Sequence, residues 1–319
     1  MRSEIQRAVA ILREGGLVAF PTETVYGLGA DARNERAVAG IFAAKGRPAG
    51  HPLIVHLPSA GHLDRWARVV PDPARALAAR FWPGPLTIIL EKQPDVPDAV
   101  TGGQPTVGLR VPSHPLALEL LGAFDGGLAA PSANRFGSVS PTTAAHVLGE
   151  LGGRVDLVLD GGPCEVGVES TIVDLSVPSE PRLLRPGGIA HDELEAVLGP
   201  IQVGGGQVRA PGTLASHYAP HAEVRAVDAG LLASEAARAA GEGRRVVVLA
   251  ARDVPGVARI ALPDEPEARA RRLYAALREV DAAGYELAVV ALSPEDGLGA
   301  ALSDRLRRAS APRPGPEGT

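Results

Sequence analysis

One stretch, Pro200 to Pro220, limits most strongly what this chain can fold into. It carries Gly204, Gly205, Gly206, Pro211 and Gly212 with few apolar side chains. Glycine loosens the backbone and proline interrupts regular structure, so the segment reads as a mobile connector between two folded parts. With 319 residues, the chain is long for one domain and comfortable for two, each burying its own core. The expected units are residues 1–199, a connector over 200–221 and a smaller unit over 222–319.

Hydrophobic periodicity outlines the first unit. Ser3 to Gln6 reads as a capping box, with Ile5, Ala8, Val9 and Leu12 on one helical face before Gly15 and Gly16 end the helix. Leu17 to Phe20 is a short buried strand closed by Pro21 and the turn Thr22, Glu23, Thr24. Asn34 caps a helix bearing Val38, Ile41 and Phe42, which Gly46 stops just after Lys45. Strands are expected over Leu53–Leu57, Leu86–Leu90, Thr106–Val111, Leu128–Ala130, Val155–Leu159, Thr171–Leu175 and Arg182–Leu184. Helices are expected over Leu63–Trp66, Ala74–Phe81, Pro115–Phe124, Thr142–Leu151 and Asp192–Leu198. The strands alternate only partly with helices, which predicts an α/β fold with a mixed sheet. Beyond the connector, helical Leu231–Ala240, strand Val246–Ala250, helical Glu267–Ala282 and strand Leu287–Leu292 follow an αβαβ rhythm. That rhythm predicts a small parallel, Rossmann-like α/β domain. The tail from Ala311 to Thr319, rich in proline and glycine, is expected to fray.

Charge and composition exclude several classes. The net charge of −5 argues against nucleic acid as the main ligand, as does the sparse aromatic content. No apolar run reaches the roughly 18 residues of a membrane span, and Met1, Arg2, Ser3, Glu4 lack a signal-peptide layout. A single cysteine, Cys164, permits no internal disulfide and no thiolate metal cluster. These features predict a cytoplasmic protein in which Cys164 is a small core residue. The glycine-lysine phosphate loop, the dinucleotide fingerprint and the serine-hydrolase elbow are all missing from the sequence. His217 and His221 are four apart, but Pro220 between them spoils a shared helical face, so no protein-held metal is expected.

Several short motifs put polar groups at element ends. Lys45-Gly46-Arg47-Pro48 sets two cations beside a break in the chain, a way to aim donors at phosphate oxygens. Taken alone, it reads more readily as a solvated helix terminus whose cations complement the dipole. Ala130-Pro131-Ser132-Ala133-Asn134 follows a strand with small side chains that allow close approach of a ligand. Ser140-Pro141 looks like a helix start, with Ser140 at the cap. Arg110 and Arg185 each end a strand, where a guanidinium faces either a cleft or a surface partner.

Taken in order, Pro21 to Leu28, Lys45 to Pro48, Pro52 to His56, Trp82 to Thr87, Ala130 to Asn134, Gly167 to Thr171 and Leu184 to Gly187 resemble the YrdC-like threonylcarbamoyl-AMP synthases. With His217-Tyr218-Ala219-Pro220 and the unit beyond, the chain resembles that family's long, two-domain form. The resemblance implies a twisted mixed sheet around a deep basic cavity, and condensation of L-threonine, bicarbonate or carbon dioxide, and ATP, with release of pyrophosphate. By the resemblance, the product serves N6-threonylcarbamoyladenosine formation in tRNA and would pass to a tRNA threonylcarbamoyl-transferase complex, with direct tRNA binding an open option but not a requirement.

Magnesium would arrive with ATP. By the same resemblance, Lys45 and Arg47 are the catalytic pair. Arg47, His51, Thr106, Ser132, Asn134, Ser140, Arg185 and Tyr218 are ATP-binding positions, and Thr24, His56, Arg110, Ala130 and Ser170 are threonine-binding positions. Tyr218 matches a connector tyrosine that folds over the occupied cavity. The sequence departs from the family in two places. Residues 210–216 lack the basic side chains that relatives often carry, and His51 stands where asparagine is usual, which would make nucleotide affinity pH-dependent if the ring titrates. The competing readings are an RNA-binding module and a carbamoyl-transfer domain of the kind found in hydrogenase maturation proteins.

Overall fold

The computed structural model describes residues 2–312. Its first part runs α1 (Arg2–Arg13), β1 (Val18–Phe20), β2 (Gly27–Asp31), α2 (Glu35–Lys45), β3 (Ile54–His56), α3 (Asp72–Phe81), β4 (Leu86–Glu91), α4 (Asp98–Thr101), β5 (Thr106–Arg110) and α5 (Pro115–Phe124). It continues through β6 (Leu128–Ala129), α6 (Ala144–Leu151), β7 (Leu157–Val158), β8 (Thr171–Asp174), β9 (Arg182–Arg185), α7 (His191–Leu198) and β10 (Gln202–Val203). These strands form one mixed sheet in the order β10-β9-β8-β4-β5-β3-β6-β2-β1-β7. The sheet combines parallel pairs such as β3 with β5 and antiparallel ones such as β4 with β5. Beyond the connector, β11 (Glu223–Val227), α8 (Leu232–Gly241), β12 (Val246–Ala250), β13 (Ala258–Ala261), α9 (Pro266–Ala282), β14 (Leu287–Ala291) and α10 (Gly297–Ser310) build a four-stranded sheet ordered β11-β14-β12-β13. All its pairs are parallel, as the αβαβ rhythm predicts.

Local chemistry explains why the site-bearing elements stop where they do. Asn34 accepts from the amides of Arg36 and Ala37, and Gly46 takes the left-handed φ of 62° at the other end of α2. There the Arg47 amide donates to Phe42 O at 3.0 Å, so Lys45 and Arg47 leave the helix on either side of a sharp turn. The α5 helix starts at Pro115 behind His114, whose Nδ1 accepts from the Leu116 amide at 3.2 Å.

The structure corrects several expectations. The α1 helix already includes Arg2, so Ser3 lies within its first turn rather than at its cap. Leu63–Arg65 belongs to a 3-10 segment, Ala60–Arg65, that Trp66 closes as its C-cap. Ser140 caps no helix: α6 begins at Ala144, and Thr143 accepts from the His146 amide. The hydroxyl of Ser140 is instead drawn to a buried carboxylate. The strands β2, β10, β11 and β13 and the helices α4 and α10 were not expected. β2 reads Gly-Leu-Gly-Ala-Asp, a composition poor in β-formers that is held in place by β1 and β6 on either side. Residues 313–319 of the expected fraying tail lie outside the described residues.

Two apolar clusters matter for the site. One fills the first unit between the sheet and α2, α3, α6 and α7, with Leu28, Ile41, Leu53, Leu77, Ile88 and Leu194 at its centre. The other crosses between the units: Val25, Val139, Val168 and the connector's Tyr218 pack with Leu273, Tyr274, Leu277, Leu302 and Leu306. The two halves thus share buried surface, and the connector contributes to it. Cys164 is buried as expected, with its thiol pushed up to about 12, first by burial and then by the Glu23 charge.

Backbone proximity shapes the wall between the two sheets. A Cβ on Gly187 would lie 2.2 Å from the Thr171 amide nitrogen and 2.6 Å from Glu169 O. Neither atom is the end of a movable side chain. Gly187→Ala is therefore expected to destabilise the protein by about 1–3 kcal/mol. Urea denaturation with an unshifted midpoint would contradict this.

Candidate functional site

One cavity, of about 640 Å³ including its mouth, opens between the sheet of the first unit and the connector. It is lined by Thr24, Lys45, Arg47, His56, Arg110, Ala130, Ser132, Asn134, Ser170, Arg185 and Tyr218, which come from distant parts of the sequence. Of the residues named from sequence, His51, Thr106 and Ser140 do not line it. Thr106 faces a neighbouring hollow with Gln104 and Arg209, and Ile54 and Pro211 line both. The His51 ring packs 5.4 Å from Phe136, and burial followed by the Arg47 and Arg209 charges lowers its pKa. Those influences keep the ring neutral at neutral pH. Ser140 stands behind the cavity wall.

Each cation is held differently. Lys45 Nζ is buried and donates to Ser132 O (2.5 Å), Asn134 O (2.6 Å) and Asn134 Oδ1 (3.1 Å), so its hydrogens brace the loop after β6. Burial and then the Arg47 charge lower its pKa, while three oxygen acceptors favour the ammonium. In that loop Ser132 Oγ donates to Asn134 Oδ1 at 2.6 Å and Asn134 Nδ2 donates to Ser138 O at 2.7 Å. Arg47 gives only Nη2 to a protein acceptor, Pro52 O at 3.0 Å, and its Nε is buried without a partner. Burial lowers its pKa to about 10, which leaves it charged.

Arg110 Nη2 donates to Glu23 Oε1 (2.6 Å) and Thr24 Oγ1 (2.9 Å), leaving Nε unpartnered. Arg185 donates from Nε and Nη2 to Ser170 O and Oγ, both at 3.0 Å, and from Nη1 to Pro211 O at 2.9 Å. It thereby ties the β9 exit to the connector.

Sequence reasoning gave no role to Glu169, the carboxylate in the lining. Its Oε1 accepts from Ser140 Oγ (2.6 Å), and its Oε2 accepts from Tyr274 OH (2.8 Å) and Arg305 Nε (2.6 Å). Burial pushes its pKa up, but Arg305 and then Arg185 outweigh burial and hold the carboxyl at about 2. The Gly167–Thr171 motif contains this residue, but two of its partners, Tyr274 and Arg305, lie more than a hundred residues away, beyond the reach of any local pattern. Sequence reasoning also passed over Phe136 and gave His217 no place in the lining. His56 and His217 both have pKa values near 3, lowered chiefly by burial and further by Arg110 beside His56 and by Lys45, Arg47 and Arg185 beside His217.

The connector forms the remaining wall. Pro211, Gly212, His217 and Tyr218 all reach the cavity. Tyr218 has a left-handed φ of 62°, a conformation costing a non-glycine residue on the order of 1 kcal/mol or more. Its hydroxyl passes so close to Gly212 that a Cβ there would lie 2.0 Å from it.

Among the described residues, no cluster of three or more His, Cys, Asp or Glu side chains could hold a metal, and no helix is long and apolar enough to cross a membrane. What the cavity offers is a concentration of cationic donors, neutral imidazoles and hydroxyls, suited to a ligand with several negative charges.

Comparison with known proteins agrees with that chemistry. A family model described as Telomere recombination (Sua5_yciO_yrdC) matches residues 10–187, and one described as Threonylcarbamoyl-AMP synthase, C-terminal domain matches residues 189–311. The chain is 44% identical to the threonylcarbamoyl-AMP synthase of Pyrococcus abyssi, covering 96% of this chain and 94% of that one. It is 42% identical to the Bacillus subtilis enzyme of the same name, covering 97% and 94%. The crystal structure of P. abyssi Sua5 complexed with L-threonine superposes with a TM-score of 0.93 at 43% identity, covering 97% of this chain and 95% of that one.

The buried groups predict a specific acid response. His56 and His217 are neutral in the fold down to about pH 3, against an ordinary value of 6.5. The unfolded chain therefore takes up more protons, and stability falls as pH drops below 6.5. Glu169 adds stability that is complete above its ordinary 4.5 and is lost as pH falls towards 2. Glu169→Gln is expected to flatten the loss below 4.5 while keeping the one above it, whatever its absolute stability. Denaturant melts across this range check the point, and parallel curves for the two proteins would refute it.

Proposed function

This chain belongs to the Sua5/YrdC family of threonylcarbamoyl-AMP synthases, and from that premise we propose how its cavity works. The protein condenses L-threonine, bicarbonate or carbon dioxide, and ATP into threonylcarbamoyl-AMP and pyrophosphate. The observation that carries this reading is the convergence of Lys45, Arg47, Arg110 and Arg185 on one buried cavity whose lining carboxylate, Glu169, is already bonded on both oxygens.

Threonine's amine captures carbon dioxide as a carbamate. An oxygen of the carbamate then attacks the α-phosphorus of ATP, and pyrophosphate leaves. No side chain need act as nucleophile; the protein supplies alignment and charge compensation. Arg47, with its Nε unpartnered, faces the phosphates, and Arg185 supports them from the β9 side. Lys45 acts through the loop it braces, fixing the Ser132 and Asn134 backbone against which the nucleotide lies. Thr24, His56, Arg110, Ala130 and Ser170 hold threonine, with Arg110 Nε the free donor for its carboxylate. His56 contributes as a neutral ring.

Glu169 is fully committed, which fits a magnesium ion carried by the triphosphate rather than by side chains. When bound, that ion would offset charge on the phosphates. The connector serves as the lid, with Tyr218 above the reactants. The product would then pass to a tRNA threonylcarbamoyl-transferase complex.

Pyrophosphate release with ATP, bicarbonate and magnesium is expected only when threonine is present. Equal release without threonine would discard the reading. Arg47→Ala is expected to lower turnover about 100-fold or more with the melting temperature little changed. Lys45→Met should lower both turnover and thermal stability, because the loop loses its brace. A wild-type rate in Arg47→Ala would remove that residue from the phosphate site.

A further inference from the structure

Building on the synthase reading, we propose that Arg305, on the last helix of the C-terminal unit, is a positioning residue for the reaction: it clamps Glu169 of the cavity wall and the Tyr218 ring of the connector into a single arrangement. Arg305 comes from α10, yet its side chain is fully excluded from solvent. Its Nε donates to Glu169 Oε2 at 2.6 Å and its Nη2 donates to Pro186 O at 3.1 Å, both in the first unit. The flat of the guanidinium lies over Tyr218, with Cζ 5.1 Å from the ring centre. Tyr274 of α9 joins the same cluster, donating to Glu169 and stacking on Tyr218 at 5.9 Å with an interplanar angle of 26°.

An arginine that merely fastened two units together would need only some carboxylate in the interface. Here, of its two carboxylate partners, Asp304 beside it and Glu169 of the first unit, the second lines the cavity, and the next residue, Ser170, receives two hydrogen bonds from the lining cation Arg185. A shift of Glu169 therefore moves an Arg185 anchor. On its other face Arg305 restrains Tyr218, whose left-handed backbone persists only where its surroundings impose it. A planar guanidinium can hold a carboxylate in plane and an aromatic ring face-on at once, which an ammonium cannot. Through this one side chain the C-terminal unit sets both a wall and the lid of a cavity that it does not itself line.

The test uses the full chain, with initial rates of threonine-dependent pyrophosphate release and limited proteolysis of the connector. Arg305→Met is expected to raise the KM for ATP and threonine about 10-fold or more, with a smaller change in kcat, and to speed cleavage near Tyr218 even without substrates. Arg305→Lys should recover only part of both effects, since it restores the charge but not the stacking. Tyr274→Phe, which removes one hydroxyl and keeps the volume, should raise KM about threefold.

A folded Arg305→Met with wild-type KM and cleavage overturns the proposal, as does full rescue by Arg305→Lys, which would mean that charge balance alone matters. If Arg305→Met does not fold, Tyr274→Phe decides, and wild-type values there overturn the proposal. Failure of the wild-type protein to release pyrophosphate would sink the synthase reading instead, while the cleavage comparison would still report on the clamp.

Discussion

Four buried cationic side chains, Lys45, Arg47, Arg110 and Arg185, share the wall of one cavity, and each loses hydration worth several kcal/mol on burial. The rest of the fold is arranged around offsetting that loss. Lys45 is surrounded by three oxygens of one loop, Arg185 by Ser170 and Pro211, and Arg110 by Glu23 and Thr24. Arg47 is the least satisfied of the four. Most of these acceptors are neutral, so the cavity keeps a positive field towards its interior while its donors stay in fixed directions. Preorganised donors of this kind need no rearrangement when charge develops on a substrate.

Glu169 links that field to the architecture. Its three donors are Ser140 in the first unit and Tyr274 and Arg305 in the second. Removing one partner of a buried charge pair typically costs about 3–5 kcal/mol, so the two units cannot separate at this point without a large penalty. The shared apolar cluster around Tyr218, Tyr274 and Leu302 acts in the same direction. The connector's glycines and prolines, a mark of flexibility in sequence, also let the chain thread a narrow space, as Gly212 does beneath the Tyr218 hydroxyl.

Local rules recovered much of the fold. The cap at Asn34, the stop at Gly46, the strand over 106–110 and the helix over 115–124 follow from short-range chemistry, and the structure repeats them. Ser140 shows where such rules fail. A serine before a proline is a good helix start in isolation, but donating its hydroxyl to a buried carboxylate 29 residues later makes a stronger, charge-assisted bond than accepting from a backbone N–H at a cap. The strand at 27–31 was hidden for a related reason, since two glycines in five residues carry little β-propensity and only the flanking strands hold it in the sheet.

By itself, the sequence determined the class of chemistry and the local stage for it: cations and hydroxyls at element ends, small residues where backbone must come close, and an ordered set of motifs resembling one family. Those properties depend on neighbours within a few residues. Tertiary structure alone decided which polar groups meet, that His51, Thr106 and Ser140 stand outside the cavity lining, and that a carboxylate at 169 is matched by an arginine at 305. Pairings across such distances arise from burial, which forces each charge to find whichever partner the packed chain brings within reach.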